Sequence, residues 1–254
     1  MTPLLDIKNV SRHFGGLHAV EGFSGQVRRG ERVGLIGPNG AGKTTLFNLI
    51  TCFTPLSAGT VFFDDTDISA LQAHQVARLG IARTFQNLRV MPNLSVFDNV
   101  SIGALGALGH SPWAALTRRG NYATDIGRRT WDALEQAGLQ GHASELAANL
   151  SYGKRKYLEI ARALALSPRL LILDEPAAGL NDTETAQLGE FVLRLSGEGL
   201  SILLVEHDMN FVMNLCERVM VMASGRKIAD GTPQAVSKNP VVLEAYLGSD
   251  EEAA

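Results

Sequence analysis

Cysteine is scarce. The 254-residue chain holds two, Cys52 and Cys216. They are far apart and lack C-x-x-C spacing, which argues against a zinc site and against a disulfide framework. Two buried thiols in a reducing compartment are the expectation. Long apolar runs are missing too: no stretch reaches the roughly 18 uncharged apolar residues of a membrane-spanning helix. Residues 100–108 are apolar but short and broken by glycine. The opening MTPLLDIKNV has no basic-then-apolar leader, so no signal peptide is expected. Basic excess is absent as well. A formal net charge of −3 gives no global pull toward nucleic acid. There is no internal repeat and no long heptad array. What is present is an ordinary globular balance, 45% hydrophobic and 19% charged. The length suits one large α/β domain, or one domain plus a small subdomain, with a substantial core.

Short β-like runs open the chain at 4–10, 23–27 and 32–36, separated by turn residues such as Gly15-Gly16 and Arg29-Gly30. A glycine-rich stretch at 37–42 precedes a predicted helix from Lys43 to about Cys52. Residues 60–63 read as a strand with Asp64-Asp65 as its turn, and 72–79 as a short helix. Residues 87–150 are rich in Ala and Leu and read as a mostly helical insertion, with a loop-like basic middle at 109–122 that includes Trp113. Helices are expected over 130–137 and from Ser151 to Leu166. LLILD at 170–174 and SILLV at 201–205 are continuous apolar runs, the pattern of strands buried on both faces. Residues 219–230 read as a hairpin turning at Gly225, and Asn239-Pro240 opens a terminal helix before a frayed acidic tail. Buried strands alternating with helices imply a mainly parallel sheet covered on both faces.

Chemistry is concentrated at two places. GPNGAGKTT at 37–45 fits G-x-x-x-x-G-K-[ST] through Gly37, Gly42, Lys43 and Thr44, between a predicted strand and a predicted helix. Glycines let the backbone wrap closely, so that N–H groups point inward at phosphate oxygens, and the helix start adds partial positive charge. Lys43 can reach the β- and γ-phosphates, and Thr44 can place its hydroxyl on Mg²⁺. LLILDEP at 170–176 sets Asp174 and Glu175 at the end of a buried strand, where ligand crevices lie in open α/β sheets. Two acids there are costly unless a cation or hydrogen bonds satisfy them. Adjacent strand residues face opposite ways. Asp174 would therefore serve the metal through its water shell, and Glu175 would face the attacking water.

Six local patterns in order then resemble the ATP-binding cassette family over essentially the whole chain. GPNGAGKTT is similar to the Walker A loop, RTFQN at 83–87 to the Q-loop, and LSYGK at 150–154 to the family signature. LLILDE at 170–175 resembles Walker B, AAGLND at 177–182 the D-loop, and VEHDM at 205–209 the H-loop. Tyr152 and Lys154 depart from the general LSGGQ, whereas Ser151 and Gly153 are intact. The resemblance implies a P-loop ATPase fold with a RecA-like α/β core, an antiparallel β subdomain and a helical subdomain. It implies an ATP hydrolase whose boundaries place 1–86 and 151–238 in the core with its β part, 87–150 in the helical part, and 239–254 in a terminal helix and tail.

Site residues follow by the same resemblance. Gly37, Pro38, Asn39, Gly40, Ala41, Gly42, Lys43, Thr44 and Thr45 would cradle ATP. Phe14 would stack on adenine, since it too offers a π-face. Glu175 would activate water, His207 would contact the γ-phosphate, and Gln86 would sense it. Thr44, Gln86 and Asp174 would hold Mg²⁺. Ser151 and Gly153 would close on the γ-phosphate of a partner in a head-to-tail dimer. Further partners implied are two polytopic permease subunits at the cytoplasmic face of the inner membrane, a second ATPase subunit that is a copy or a homologue, and indirectly a solute-binding protein; nucleic acid is not among them. FGGLHAV at 14–20, DEPAAGLN at 174–181 and NPVVLEAYLG at 239–248 resemble the larger ATPase of branched-chain amino-acid importers. Related branches move urea, amides or aromatic acids, or export lipopolysaccharide. A non-transport ABC ATPase and a small-molecule P-loop kinase are the rival readings.

Overall fold

The computed structural model describes residues 2–108 and 119–251. Its strands, in chain order, are β1 (Leu5–Phe14), β2 (Leu17–Val27), β3 (Arg32–Ile36), β4 (Ala58–Phe63) and β5 (Thr66–Asp67). They continue as β6 (Ile81–Arg83), β7 (Leu170–Asp174), β8 (Ser201–Val205), β9 (Arg218–Ala223) and β10 (Arg226–Gly231). The helices are α1 (Lys43–Ile50), α2 (Ala73–Leu79), α3 (Val96–Leu108), α4 (Arg119–Gln136) and α5 (Tyr152–Leu164). After them come α6 (Asp182–Gly197), α7 (Met209–Leu215), α8 (Pro233–Val236) and α9 (Pro240–Glu251).

Two sheets form. An antiparallel sheet has the order β2-β1-β4-β5, and a mixed sheet the order β10-β9-β3-β8-β7-β6. In the mixed sheet β9, β3, β8, β7 and β6 are parallel neighbours, and only β10 is antiparallel, paired to β9. The two apolar runs are its centre: all five residues of β7 and of β8 are buried. Helices cover them through stripes at helical spacing. On α6 the buried set includes Leu188, Phe191, Val192 and Leu195. Each such side chain removed from water contributes about 1.5–3 kcal/mol. On α3 the stripe is Val96, Val100 and Ala104. A Cβ at Gly103 would come within 2.0 Å of the Arg162 carbonyl, so this glycine lets α3 cross α5 closely.

The observed elements adjust several expectations. Residues 119–122 are the first turn of α4 rather than loop; Trp113 and the rest of 109–118 lie outside the described residues. α1 stops at Ile50 and leaves Cys52 at φ 55°, and α5 stops at Leu164 before Ser167 at φ 53°. Of the acidic tail expected to fray, residues 249–251 continue α9, and 252–254 lie outside the described residues. Cys216 is buried, with its thiol pushed up to about 12 by desolvation, while Cys52 is half-buried. Among the described residues no helix is long and apolar enough to cross a membrane.

The topology fixes where chemistry happens. β3, β8 and β7 are parallel and adjacent, so their carboxyl ends share one edge. That edge delivers the 37–42 loop, Glu206-His207 and Asp174-Glu175 to the same place.

Candidate active site

The loop after β3 owes its shape to its glycines. Gly37, Gly40 and Gly42 have φ of 151°, 77° and 99°, the left-handed region that favours glycine. A Cβ on Gly37 would lie 2.0 Å from the Met222 carbonyl, and one on Gly42 2.3 Å from that of Ala19. Backbone from β9 and β2 thus packs directly onto the loop. Gly42 is the N-cap of α1 and no side chain caps the helix. Its first-turn N–H groups and positive dipole end therefore face the cleft, an arrangement suited to an anion. Lys43 is buried, and its ammonium donates to the carbonyls of Gly37 at 2.6 Å and Pro38 at 2.9 Å. Desolvation pulls its pKa below the ordinary lysine value, and the charges of Glu175 and Asp174 partly offset this.

A cleft of about 640 Å³ opens here. Its walls include residues 39–45, Gln86, Glu175 and His207, together with Leu17, His18 and Ala19 of β2 and Ser224-Gly225. Two polar side chains from two other loops meet on the Glu175 carboxylate. Gln86 Nε2 donates to its Oε2 at 2.8 Å, and His207 Nε2 lies 2.7 Å from its Oε1. Glu175 holds φ 49°, and its N–H donates to the Val205 carbonyl at 2.9 Å. The buried ammonium of Lys156 donates to the Glu175 carbonyl at 3.2 Å. This left-handed conformation costs a non-glycine residue about 1–3 kcal/mol, and it is held in place from both sides.

A second ring of charges supports these loops. Glu159 on α5 accepts the Phe85 N–H at 3.3 Å, one residue before Gln86, and Arg162 donates to the Arg89 carbonyl. Burial raises the pKa of Glu159 above the ordinary carboxylate range, and the Phe85 N–H partly offsets it. Glu206 is buried beside His207; it accepts the N–H of Ala177 at 2.7 Å and of His207 at 3.2 Å, and burial raises its pKa. Asp174 is 4% exposed and paired with Arg83 at 2.7 Å. Lys156, Glu159, Glu206 and Arg83 were not singled out in the sequence. The signal available was charge at positions where the helix or strand pattern calls for apolar residues.

Not every predicted residue lies in this cleft. Ser151 is the N-cap of α5, its Oγ accepting the Lys154 N–H at 3.3 Å. Gly153 is buried against Glu184, and Tyr152 donates its hydroxyl to the Ala178 carbonyl at 3.3 Å. Lys154 Nζ sits 2.8 Å from His142 Nε2. Ser151 and Gly153 are therefore outside the walls that the glycine loop builds. Phe14 ends β1 with its ring 47% exposed beneath the guanidinium of Arg12, 4.6 Å from the ring centre; Leu17 and His18, not Phe14, line the cleft. Asp174 also stands behind the wall rather than in it.

Comparison with known proteins gives this geometry a family. The ABC transporter family model matches residues 20–178, and a model described as branched-chain amino acid ATP-binding cassette transporter matches 226–252. The chain is 42% identical to the high-affinity branched-chain amino acid transport ATP-binding protein LivG of Salmonella typhimurium, covering 97% of this chain and 98% of that protein. It is 39% identical to BraF of Pseudomonas aeruginosa over the same shares. It is 34% identical to the lipopolysaccharide export system ATP-binding protein LptB of Escherichia coli, again over 97% and 98%. Among solved structures, the ADP conformation of an ATP-binding cassette of an ABC transporter superposes with a TM-score of 0.85 at 32% identity, covering 98% of this chain and all of that one. A cassette with no nucleotide gives 0.85 at 31%, over 96% and 99%. The uncapped glycine-loop helix, the carboxylate edge and these likenesses agree: the chain belongs to the ABC transporter family, as one of its nucleotide-binding ATPase subunits.

Proposed function

We propose that this chain binds and hydrolyses ATP to energise a membrane importer of branched-chain or related amino acids. The observation that carries the hydrolytic part is the convergence of Gln86 and His207 on Glu175, in the same cleft as the uncapped start of α1. Phosphoryl transfer needs mainly positioning and charge stabilisation. Residues 37–45 supply both to the phosphates, with Lys43 as the cation. Glu175 accepts the proton of the attacking water. His207 contacts the γ-phosphate, and Gln86 reports its loss to the loop that leads toward α3. Phe14 provides a face for adenine from the end of β1.

Thr44, Gln86 and Asp174 offer only oxygen donors, and with phosphates completing the shell that set suits Mg²⁺, which seldom takes an all-protein cage. When bound there, Mg²⁺ would neutralise phosphate charge. Ser151 and Gly153 lie outside the chain's own cleft, so we assign them to the nucleotide of a second ATPase subunit in a head-to-tail dimer. Residues 1–86 and 151–238 act as the ATPase core with its β part. Residues 87–150 act as the surface that receives two permease subunits at the cytoplasmic side of the inner membrane, and 239–254 as a terminal helix and tail. A solute-binding protein would deliver cargo on the far side. The branched-chain assignment rests on LivG, BraF and the match at 226–252; the likeness to LptB marks export of lipopolysaccharide as the alternative cargo.

The test is Glu175→Gln. Turnover should fall roughly 10³-fold, and ATP should hold the variant as a dimer on size-exclusion chromatography. Wild-type turnover would remove Glu175 from this role.

A further inference from the structure

Arg83 has no part in the chemistry just described, yet it reaches two of that chemistry's structural supports. It ends β6, and its side chain is 5% exposed. Nη2 donates to Asp174 Oδ2 at 2.7 Å. Nη1 donates to Asn48 Oδ1 at 2.7 Å and more weakly to Thr51 Oγ1 at 3.4 Å. Asn48 and Thr51 sit at the far end of α1, the helix that begins at Lys43. The guanidinium is flanked by the rings of Phe47 and Phe85, whose centres are 5.4 and 5.1 Å away. Asp174, 4% exposed, has no other hydrogen-bond donor to its carboxylate among the described residues.

A carboxylate buried this completely is costly unless a cation satisfies it. We infer that Arg83 is a positioning residue that holds the Asp174 carboxylate whenever metal and nucleotide are away, standing in for the metal's charge and tying the end of β7 to α1. The bond occupies Oδ2 and leaves Oδ1 for the metal's water shell. Arginine suits the task because its planar fork addresses Asp174 and Asn48 at once, which the point charge of lysine does not. The inference rests on the metal role of Asp174 proposed above.

Thermal unfolding of the full chain tests it without measuring activity. The proteins are wild type, Arg83→Met, Asp174→Asn and the double variant. Each is melted with EDTA, with ADP plus EDTA, and with ADP plus Mg²⁺. In EDTA, Arg83→Met should lower Tm by roughly 10 °C, since it strands a buried charge. Adding Asp174→Asn to it should restore most of that loss. The rise in Tm caused by Mg²⁺ with ADP should be larger in Arg83→Met than in wild type. Should Arg83→Met fail to fold, Arg83→Lys should show the same enlarged magnesium increment with a smaller loss in EDTA. An Arg83→Met Tm within 2 °C of wild type, or no rescue by Asp174→Asn, overturns the inference and leaves the metal role of Asp174 standing. Rescue with equal magnesium increments instead sinks that metal role, and with it Arg83 as the metal's substitute.

Discussion

The helices α1 and α5 both start beside glycines, and their first turns are built in opposite ways. α1 begins at Gly42 with no side-chain cap, and its glycines are pressed against backbone carbonyls of Ala19 and Met222. α5 begins at Ser151, which caps it, and its Gly153 is pressed against a carboxylate oxygen of Glu184, 2.8 Å from where a Cβ would stand. Backbone in a sheet cannot step aside; the end of a glutamate side chain can. The first helix start is therefore fixed and open to an anion within the chain. The second is satisfied and adjustable, the condition expected of a surface completed by another subunit.

Alanine at the two glycines is the sharpest way to break this comparison. Gly42→Ala must accept φ near 99° and a contact of 2.3 Å with backbone. It should cost roughly 3 kcal/mol in denaturant unfolding and abolish nucleotide binding by calorimetry. Gly153→Ala should cost about 1 kcal/mol, because the Glu184 carboxylate shifts at the expense of the bond it accepts from the Asn181 N–H while alanine favours the helix. Equal losses at both positions would erase the distinction. Ser151→Ala removes a cap and should cost about 1 kcal/mol. Its monomer should bind nucleotide with unchanged affinity while turnover falls at least about tenfold, the difference a partner-facing residue makes; weakened monomer binding would return Ser151 to its own chain's cleft.

The smallest effect concerns Glu206 on the fixed side. Burial raises its folded pKa above the ordinary 4.5, so the native state favours the protonated carboxyl. The stability this gives is fully present below pH 4.5 and is lost as pH climbs through the raised value. Glu206→Gln does not titrate, so its Tm relative to wild type should increase from pH 4.5 toward neutrality. A difference that stays flat with pH would place the glutamate in water.

Much of this was readable in the chain because the signals are local. The runs at 32–36, 170–174 and 201–205 became strands with those bounds, since continuous apolar stretches have no surface to lie on. The glycine loop announced its own geometry. β6 is three residues long and carried no period to find. α6 starts on a capping box of Asn181 and Glu184, an N-x-x-E signal legible in the sequence. What the sequence could not display is distance: Gln86, Glu175 and His207 are joined by the sheet, as are Arg83 and Asp174, which lie 91 residues apart. Phe14, expected at adenine from its place in the motif order, is exposed at the end of β1, while Leu17 and His18 of the same β1–β2 hairpin line the cleft.

The packing of Gly37 and Gly42 under the carbonyls of Met222 and Ala19 bears finally on the heat of nucleotide binding. Ordering a flexible loop at the moment of association loses about 1–2 kcal/mol of backbone entropy per residue. Here Gly37 and Gly42 are packed by folding itself against the backbone of β9 and β2. Their ordering belongs to folding, so calorimetry should find little of the entropic penalty seen where a binding loop folds around its ligand.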